Sequence, residues 1–373
     1  MNAIIVECDV ATAWGWGVDA CWNGVLTGAP AFSLVERFSA AAFQSRLAAQ
    51  VPGVAPGDES LVMQLLRPLL GRLAPRLPVD TLVLLATTTG EVDRLERAVL
   101  EGRPEDGASR LSVLLGRVCR ECGVSGPGRT ISAACASSAA AVAQGAALIR
   151  SGERDAVLVV ACDAVTEFIM AGFSSLMALD PDGAKPFDRN RRGLTVGEGA
   201  GYVLLMSGAR ATREGRPRLA DVTGWGLSGD ANHMTGPSRD GDGLAAAIAK
   251  ALRTAGVTPG AIGAICAHGT GTPYNDAMEL KAFRRVFTGA PVPVYSIKGS
   301  IGHTMGAAAL IELVMTVKSL QQGVVPPSAN LRDVDPEAEG WVSPSARQAA
   351  GLRVALSTNS GFGGVNAALV VTA

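Results

Sequence analysis

The sequence predicts an α/β fold with covered, largely parallel sheets, and three observations carry that prediction. Short apolar runs alternate with helical periodicities along the whole chain. The runs, such as Ala156–Ala161 and Tyr202–Met206, are continuous rather than alternating, as expected of strands covered on both faces. The chain also echoes itself. Gly197-Glu-Gly-Ala-Gly precedes Tyr202–Met206, and Gly361-Phe-Gly-Gly precedes Ala367–Thr372, each a Gly-rich turn feeding an apolar strand. A strand-turn leading into an Ala-rich helix occurs at Cys135 and again at Thr304. A duplicated α/β unit follows, with halves at 1–217 and 218–373.

Taken in order, Ala3–Cys8 reads as a strand, Val10–Gly17 as turns and Ala20–Leu26 as a short helix. Glu36–Pro56 has no clear period. Helical periodicity runs over Glu59–Leu73, Glu91–Glu101 and Leu111–Cys122, with a strand at Thr81–Ala86. Thr130–Ala134 is β-like and meets Cys135. The next segment, Ala136–Arg150, is apolar almost all round, with only Ser137, Ser138, Gln144 and Arg150 polar, so it belongs inside the domain. Asp163–Met177 reads as a broken helix, and Leu179–Gly199 as a long polar passage. The second half gives strands at Leu219–Trp225, Ala261–Ala267, Val292–Ser296, Val354–Ser357 and Ala367–Thr372. Its helices are Leu244–Ala255, Asp276–Phe287 and Ala307–Leu320.

Composition narrows the function. Of 373 residues, 48% are hydrophobic and 18% charged, ample for a large core. A net charge of −1 gives no sign of nucleic-acid binding. No apolar run is long enough to span a membrane, and the first residues lack a basic leader, so no secretory signal is expected. Seven cysteines at irregular spacing fit a reducing cytoplasm better than a disulfide framework. The lone Cys119-x-x-Cys122 pair falls short of the four ligands of a zinc site, so no metal is expected.

Four loops after expected strands hold the unusual residues: Cys135; Cys266-Ala-His268-Gly-Thr-Gly-Thr-Pro; Lys298-Gly-Ser-Ile-Gly-His303; and Asn359-Ser-Gly-Phe-Gly-Gly-Val-Asn. Ligands bind outside the carboxyl ends of strands in such sheets, so the loops can converge on one site. A cysteine in the first turn of a buried helix faces unpaired N–H groups, which would lower its thiol pKa. Cys135 is thus either a nucleophile or one more small buried residue. His268 and His303 are either acid/base partners or a structural residue and a cap. Glu312 is an odd acid in an apolar helix, and a buried Lys298–Glu312 pair would brace the site. The Gly361–Gly364 run is either a tight turn or a presented backbone N–H for an oxyanion. Gly197-Glu-Gly-Ala-Gly precedes a strand, so it is no dinucleotide fingerprint.

These residues together resemble the β-ketoacyl-acyl carrier protein synthases, the condensing enzymes of fatty-acid and polyketide synthesis. The resemblance rests on Ala134-Cys135-Ala-Ser-Ser, Lys185-Pro-Phe-Asp-Arg189 with Gly197-Glu-Gly-Ala-Gly, and Ala267-His268-Gly-Thr-Gly-Thr. It extends to Lys298 with Gly302-His303 and Gly306-Ala-Ala, and to Gly361-Phe-Gly-Gly-Val-Asn366, all in the family's order. It implies a thiolase-like fold, two similar βαβαβ-type halves in an αβαβα five-layer arrangement, and a dimer. It further implies that Cys135 is acylated and that His268 and His303 promote decarboxylation of a malonyl thioester. Lys298 would order the site with Glu312 supporting it. The N–H groups of Cys135 and Phe362 would form the oxyanion hole, with Phe362 as gate. Thr270, Thr272, Gly361 and Gly363 would line the substrate. No metal or cofactor is implied beyond the phosphopantetheine of an acyl carrier protein.

The chain is shorter than usual members between Thr89 and Cys135, and carries Leu194 where Phe, and Ala309 where Gly, is common. Such compact forms occur in type II polyketide and aryl-polyene-like systems, some as heterodimers with a chain-length-factor-like subunit that lacks the cysteine. Retention of Cys135 points to the active member, as homodimer or heterodimer. Two other functions remain open from sequence: an acyltransferase that does not decarboxylate, and a cavity-shaping partner subunit. Arg191, Arg192, Arg284 and Arg285 are the expected basic patch for an acidic carrier.

Overall fold

The computed structural model describes residues 2–104 and 107–373. The first half runs β1 (Ala3–Thr12), α1 (Val18–Leu26), α2 (Leu61–Leu73), β2 (Leu82–Ala86), α3 (Val92–Leu100), α4 (Leu111–Glu121), β3 (Arg129–Ile131), α5 (Ser137–Arg150), β4 (Ala156–Asp163), α6 (Glu167–Ser175) and β5 (Gly199–Ser207). The second runs β6 (Ala220–Gly229), α7 (Asp242–Ala255), β7 (Ala264–Cys266), α8 (Pro273–Val286), β8 (Val294–Tyr295), α9 (Ala308–Gln322), β9 (Val354–Gly361) and β10 (Val365–Thr372).

The strands lie in the order β8-β7-β9-β10-β6-β1-β5-β4-β2-β3. Read outward from the middle, the halves match. β1 and β6 open them, β5 and β10 return antiparallel beside them, and β4 and β9 pair antiparallel with those returns. β2 and β3, like β7 and β8, complete each half with parallel pairings. Even the irregularities correspond: the register shifts between Ile5 and Glu7 in β1 and between Val222 and Gly224 in β6. β1 and β6 meet antiparallel through Ala3↔Val222, Ile4↔Asp221 and Ile5↔Ala220. The sheets are therefore mixed rather than largely parallel. The tight turn at 361–364 sends β10 straight back along β9, which only an antiparallel pair permits.

Helices complete five layers. α2 and α4 cover the outer face of the first half, and α7 and α8 that of the second. α5 and α9 lie between the halves in the central core. The Ala-rich composition of α5 has its reason here. Side chains of both sheet halves and of α9 close around it, and a Cβ at Gly145 would sit 3.1 Å from Leu205 and Val157. Ser138 Oγ accepts from Leu310 N at 3.0 Å and locks the two central helices. At the far end of α5, Arg150 donates to Thr223 O and Thr254 O and lies 4.3 Å over the Trp225 ring.

Two stretches depart from the expectations. Strands run further than their apolar cores, β1 to Thr12, β4 to Asp163 and β9 to Gly361. Leu179–Gly199 is not a solvated polar passage. Asp180, Asp188, Thr195 and Glu198 are buried, and Glu198 accepts from Arg37, Val51 N and Val165 N. These buried charges are satisfied inside the protein, as they must be, while Asp182, Arg189 and Arg192 stay at the surface. Among the described residues no helix is long and apolar enough to cross a membrane.

Candidate active site

Cys135 sits between β3 and α5, one residue ahead of the Ala136 cap rather than inside the helix. Ala134 takes φ 48, a left-handed conformation that turns the chain sharply before the sulfur. Ser137 Oγ pins this turn, accepting from Ala133 N at 2.8 Å and donating to Ala134 O at 2.5 Å. Gly361 presses against it, since a Cβ there would lie 3.0 Å from Cys135 N. The N–H groups of Phe362 and of Cys135 itself face the sulfur. Burial nevertheless pushes the thiol up to about 11, against the pull of Lys298 and these two N–H groups. The lowered thiol pKa expected from a helix terminus is thus overturned: at 7% exposure, desolvation of the thiolate outweighs the local positive potential.

His268 follows β7, and its loop is gathered by two carboxylates of α8. Glu279 accepts from His268 N and Gly269 N at 2.8 and 2.6 Å. Asp276 accepts from Thr270 N and Gly271 N at 3.1 and 3.2 Å. His303 follows a short helical turn, residues 298–301. It is fixed by Gly302, whose φ of 68 brings it onto Gly197, where a Cβ would collide with Ile301 O. His303 N donates to Thr195 O, and Gly197 N donates back to His303 O. The Gly-rich motif before β5 therefore exists to let the His303 loop approach. His303 Nδ1 accepts from Met305 N at 3.1 Å, which leaves the ring proton on Nε2.

The two imidazoles stand edge to face, centroids 5.1 Å apart and planes at 83°. Burial holds both well below the usual histidine range, with the Lys298 charge acting in the same direction, so both rings are neutral. Lys298 is itself buried and bonded to Glu312 and, at 2.6 Å, to His268 O. The Lys298–Glu312 pair expected from sequence is thus in place.

Phe362 lies at the mouth, 36% exposed, on a turn in which Gly363 and Gly364 take φ 80 and 77. Thr270 and Thr272 hydroxyls bond each other at 2.8 Å beside the His268 loop. Of the four arginines expected to form a basic patch, Arg192, Arg284 and Arg285 stay about half exposed and Arg191 does not. Arg191 is largely buried against Asp335 and Asp276, Arg192 pairs with Asp182, Arg284 with Glu337 and Arg285 with Asp242. Each guanidinium is matched by a local carboxylate, which runs of arginine in sequence do not disclose.

Sequence reasoning missed several contributors. Phe173 of α6 walls the site, its ring 5.8 Å from Phe362 and 6.5 Å from His303. Asp163 ends β4 and accepts from Thr87 Oγ1, Thr88 N, Thr89 N and Gly306 N. Glu279 and Asp276 at a spacing of three were the readable signal for a braced loop. Asp163 gave none, because its partners lie on remote segments.

The sulfur of Cys135 and a nitrogen from each histidine lie within 4.8 Å of one another, close enough to share an ion. The Met305 N–H, however, occupies the His303 Nδ1 lone pair, and Nε2 then carries a proton. The site presents hydrogen-bond donors where a metal would need lone pairs.

Residues 83–211 match the family model described as the N-terminal domain of β-ketoacyl synthase, and 219–332 its C-terminal domain. The tetracenomycin polyketide synthase ketoacyl synthase alpha subunit of Streptomyces glaucescens is 33% identical, over 99% of this chain and 96% of that one. A nodulation protein E of Rhizobium sp. (strain N33) is 38% identical over 69% of this chain, and the match spans 64% of that protein's length. Among solved structures, a type II polyketide acyl carrier protein in complex with its ketosynthase bound to the hexaketide (AntDE:AntF) superposes with a TM-score of 0.90 at 26% identity, over 100% of this chain and 99% of that one.

Proposed function

The chain belongs to the β-ketoacyl synthase family, and from that membership and the geometry of the site we propose that it catalyses decarboxylative condensation of an acyl group with a malonyl thioester. The observation that carries this is the convergence of Cys135, His268 and His303 within 4.8 Å, with donor N–H groups of Cys135 and Phe362 at the sulfur.

The reaction runs in two halves. Cys135 Sγ attacks an acyl thioester on a carrier protein. The C–S bond to the carrier breaks, and the thiol proton of Cys135 leaves on the carrier thiol. At a thiol pKa of about 11 little thiolate is present at neutral pH, so the thiolate is formed as the thioester arrives. Lys298 and the two N–H groups lower the cost of that step. A malonyl carrier then enters, and its C–CO2 bond breaks. The electron pair passes to the thioester oxygen as an enolate, stabilised by neutral imidazole donors in a water-poor pocket. The enolate carbon attacks the acyl carbon on Cys135, whose oxygen meets the Cys135 and Phe362 N–H groups. Collapse releases the cysteine, which takes up one proton, and the 3-ketoacyl carrier. No nucleotide, metal or other cofactor takes part.

Thr270 and Thr272 are placed to bind the pantetheine arm, with Gly361 and Gly363 shaping the approach and Phe362 gating it. The partners are an acyl carrier protein and a second ketosynthase-like subunit, like or unlike. The setting is fatty-acid or type II polyketide synthesis. Seven unpaired cysteines among the described residues suit the cytoplasm. Incubation with acyl and malonyl carrier thioesters should give an acyl adduct on Cys135, release of CO2 and a 3-ketoacyl carrier by intact mass. Ester or amide products without CO2 release would overturn the reading.

A further inference from the structure

We infer that Asn359 is a positioning residue that fixes the tautomer of His268, holding its proton on Nε2 so that the ring donates toward the reacting thioester oxygen. This rests on the condensing reaction above but concerns a side chain to which that reaction assigns no role.

His303 has a backbone donor, Met305 N, to set its tautomer. His268 has none. What faces its Nδ1 is the side-chain amide nitrogen of Asn359, at 3.5 Å. An amide can be turned to present either nitrogen or oxygen, so the orientation decides the chemistry. Three facts settle it. The same nitrogen donates to Glu312 Oε2 at 2.6 Å, so a turned amide would set oxygen against a carboxylate oxygen at that distance. Burial raises the Glu312 pKa, but Lys298 donates to its other oxygen and, with its charge, favours the carboxylate. And among the described residues Asn359 Oδ1 is buried with no partner. A buried orphan acceptor is costly, by about 1–3 kcal/mol. It is tolerated here because the turned amide would set its oxygen against the Glu312 carboxylate.

The order of donation is therefore Lys298 to Glu312, and Asn359 to both Glu312 and His268 Nδ1. Nδ1 accepts, and Nε2 keeps the proton. The charged and titratable groups around His268 are consistent with this. They are Lys298 at its carbonyl, Glu279 at its N–H, and neutral His303 and Cys135 across the pocket. None of these offers Nδ1 an acceptor that would draw the proton to that side. The buried pair Lys298–Glu312 thus acts on the reacting centre through one amide.

The test uses protein labelled with 15N in the histidine rings. His233, His268 and His303 are the only histidines, so three ring spin systems are assignable. In the unaltered protein both His268 and His303 should report the Nε2–H form. Asn359→Leu, close in size but without donors, should give His268 a mixture of tautomers and leave His303 unchanged. Asn359→Asp, which offers Nδ1 an acceptor, should move the His268 proton to Nδ1. Decarboxylation of the malonyl carrier should fall by about 10- to 100-fold, less than the roughly 10²–10³-fold of a donor removed outright, because a tautomer mixture keeps part of it. Acylation of Cys135 should fall far less. An unchanged His268 tautomer in either folded variant, or equal losses in both half-reactions, overturns the proposal. If Asn359→Asp fails to fold, the Leu variant decides alone. Absence of CO2 release from the unaltered protein would instead refute the condensing reaction, while the ring spectra would still decide the role of Asn359.

Discussion

Cys135 and Gly306 occupy matching places in the two halves. Each follows a left-handed residue, Ala134 at φ 48 and Met305 at φ 51. Each is followed by an alanine cap and a buried central helix, α5 and α9. What differs is the strand end that meets the N–H. At Cys135 it is Gly361, which has no side chain and leaves the N–H facing the sulfur and the pocket. At Gly306 it is Asp163, whose carboxylate takes the N–H at 2.7 Å. One duplicated turn leaves its N–H free for the oxyanion role proposed above, and its twin is a structural clasp joining α9 to the Thr87–Thr89 loop. The same backbone geometry serves chemistry or stability according to one neighbouring side chain.

The largest expected effect comes from removing the atom that distinguishes the two turns. Cys135→Ala should abolish the acyl adduct and the 3-ketoacyl product, both read by intact mass, while thermal stability stays close to the parent. Gly361→Ala narrows the reactive turn toward the closed one, since the new methyl would stand 3.0 Å from Cys135 N. Its acylation rate should fall by about 10²–10³-fold, the usual cost of one oxyanion donor. An acylation rate within threefold of the parent would show that this N–H is not used.

His303→Ala asks whether the second half supplies the decarboxylating group. Loss should be about 10²-fold in CO2 release and clearly smaller in Cys135 acylation, measured separately. Asp163→Asn opens the clasp. Chemical denaturation should show a loss of about 1–3 kcal/mol from donors left facing an amide. Removing the negative charge should also make Cys135 more reactive toward iodoacetamide, because Asp163 adds to the rise in its thiol pKa.

The last test is a pH profile. With the thiol at about 11, alkylation of Cys135 should rise nearly tenfold per pH unit from neutrality and level off only near that value. The sign follows from the thiolate being the nucleophile and the scarce form below its pKa. A plateau beginning below pH 8 would show a thiolate already present at rest. The same shift makes folding less favourable between about pH 9 and 11, where the unfolded thiol ionises and the folded one does not.

Much of the site was legible because its residues are locally conspicuous. Cysteine before an Ala-rich apolar helix, two of only three histidines in loops after expected strands, and one acid in α9 stand out against the composition. Less legible was anything that depends on a remote partner. Leu179–Gly199 reads as polar because charge is visible in sequence and its pairing is not. Glu198 meets Arg37, and Arg191 meets Asp335, across long separations. Phe173 looked like one more aromatic in a broken helix. Asn359 opened a loop singled out for its glycines, and its amide gained meaning only beside Glu312 and His268.

By itself the sequence determined the duplicated alternation of strands and helices, the central place of the Ala-rich helix and the cysteine and histidines worth weighing as a site, since periodicity and composition are local properties. Tertiary structure decided the mixed strand directions, the closure of each arginine onto a carboxylate, and the protonation states on which the chemistry depends. The physical reason is common to all three. Burial and the direction of a hydrogen bond are set by what lies across the fold, so a thiol expected to be acidic sits at about 11, and the proton on His303 is placed by the N–H of Met305.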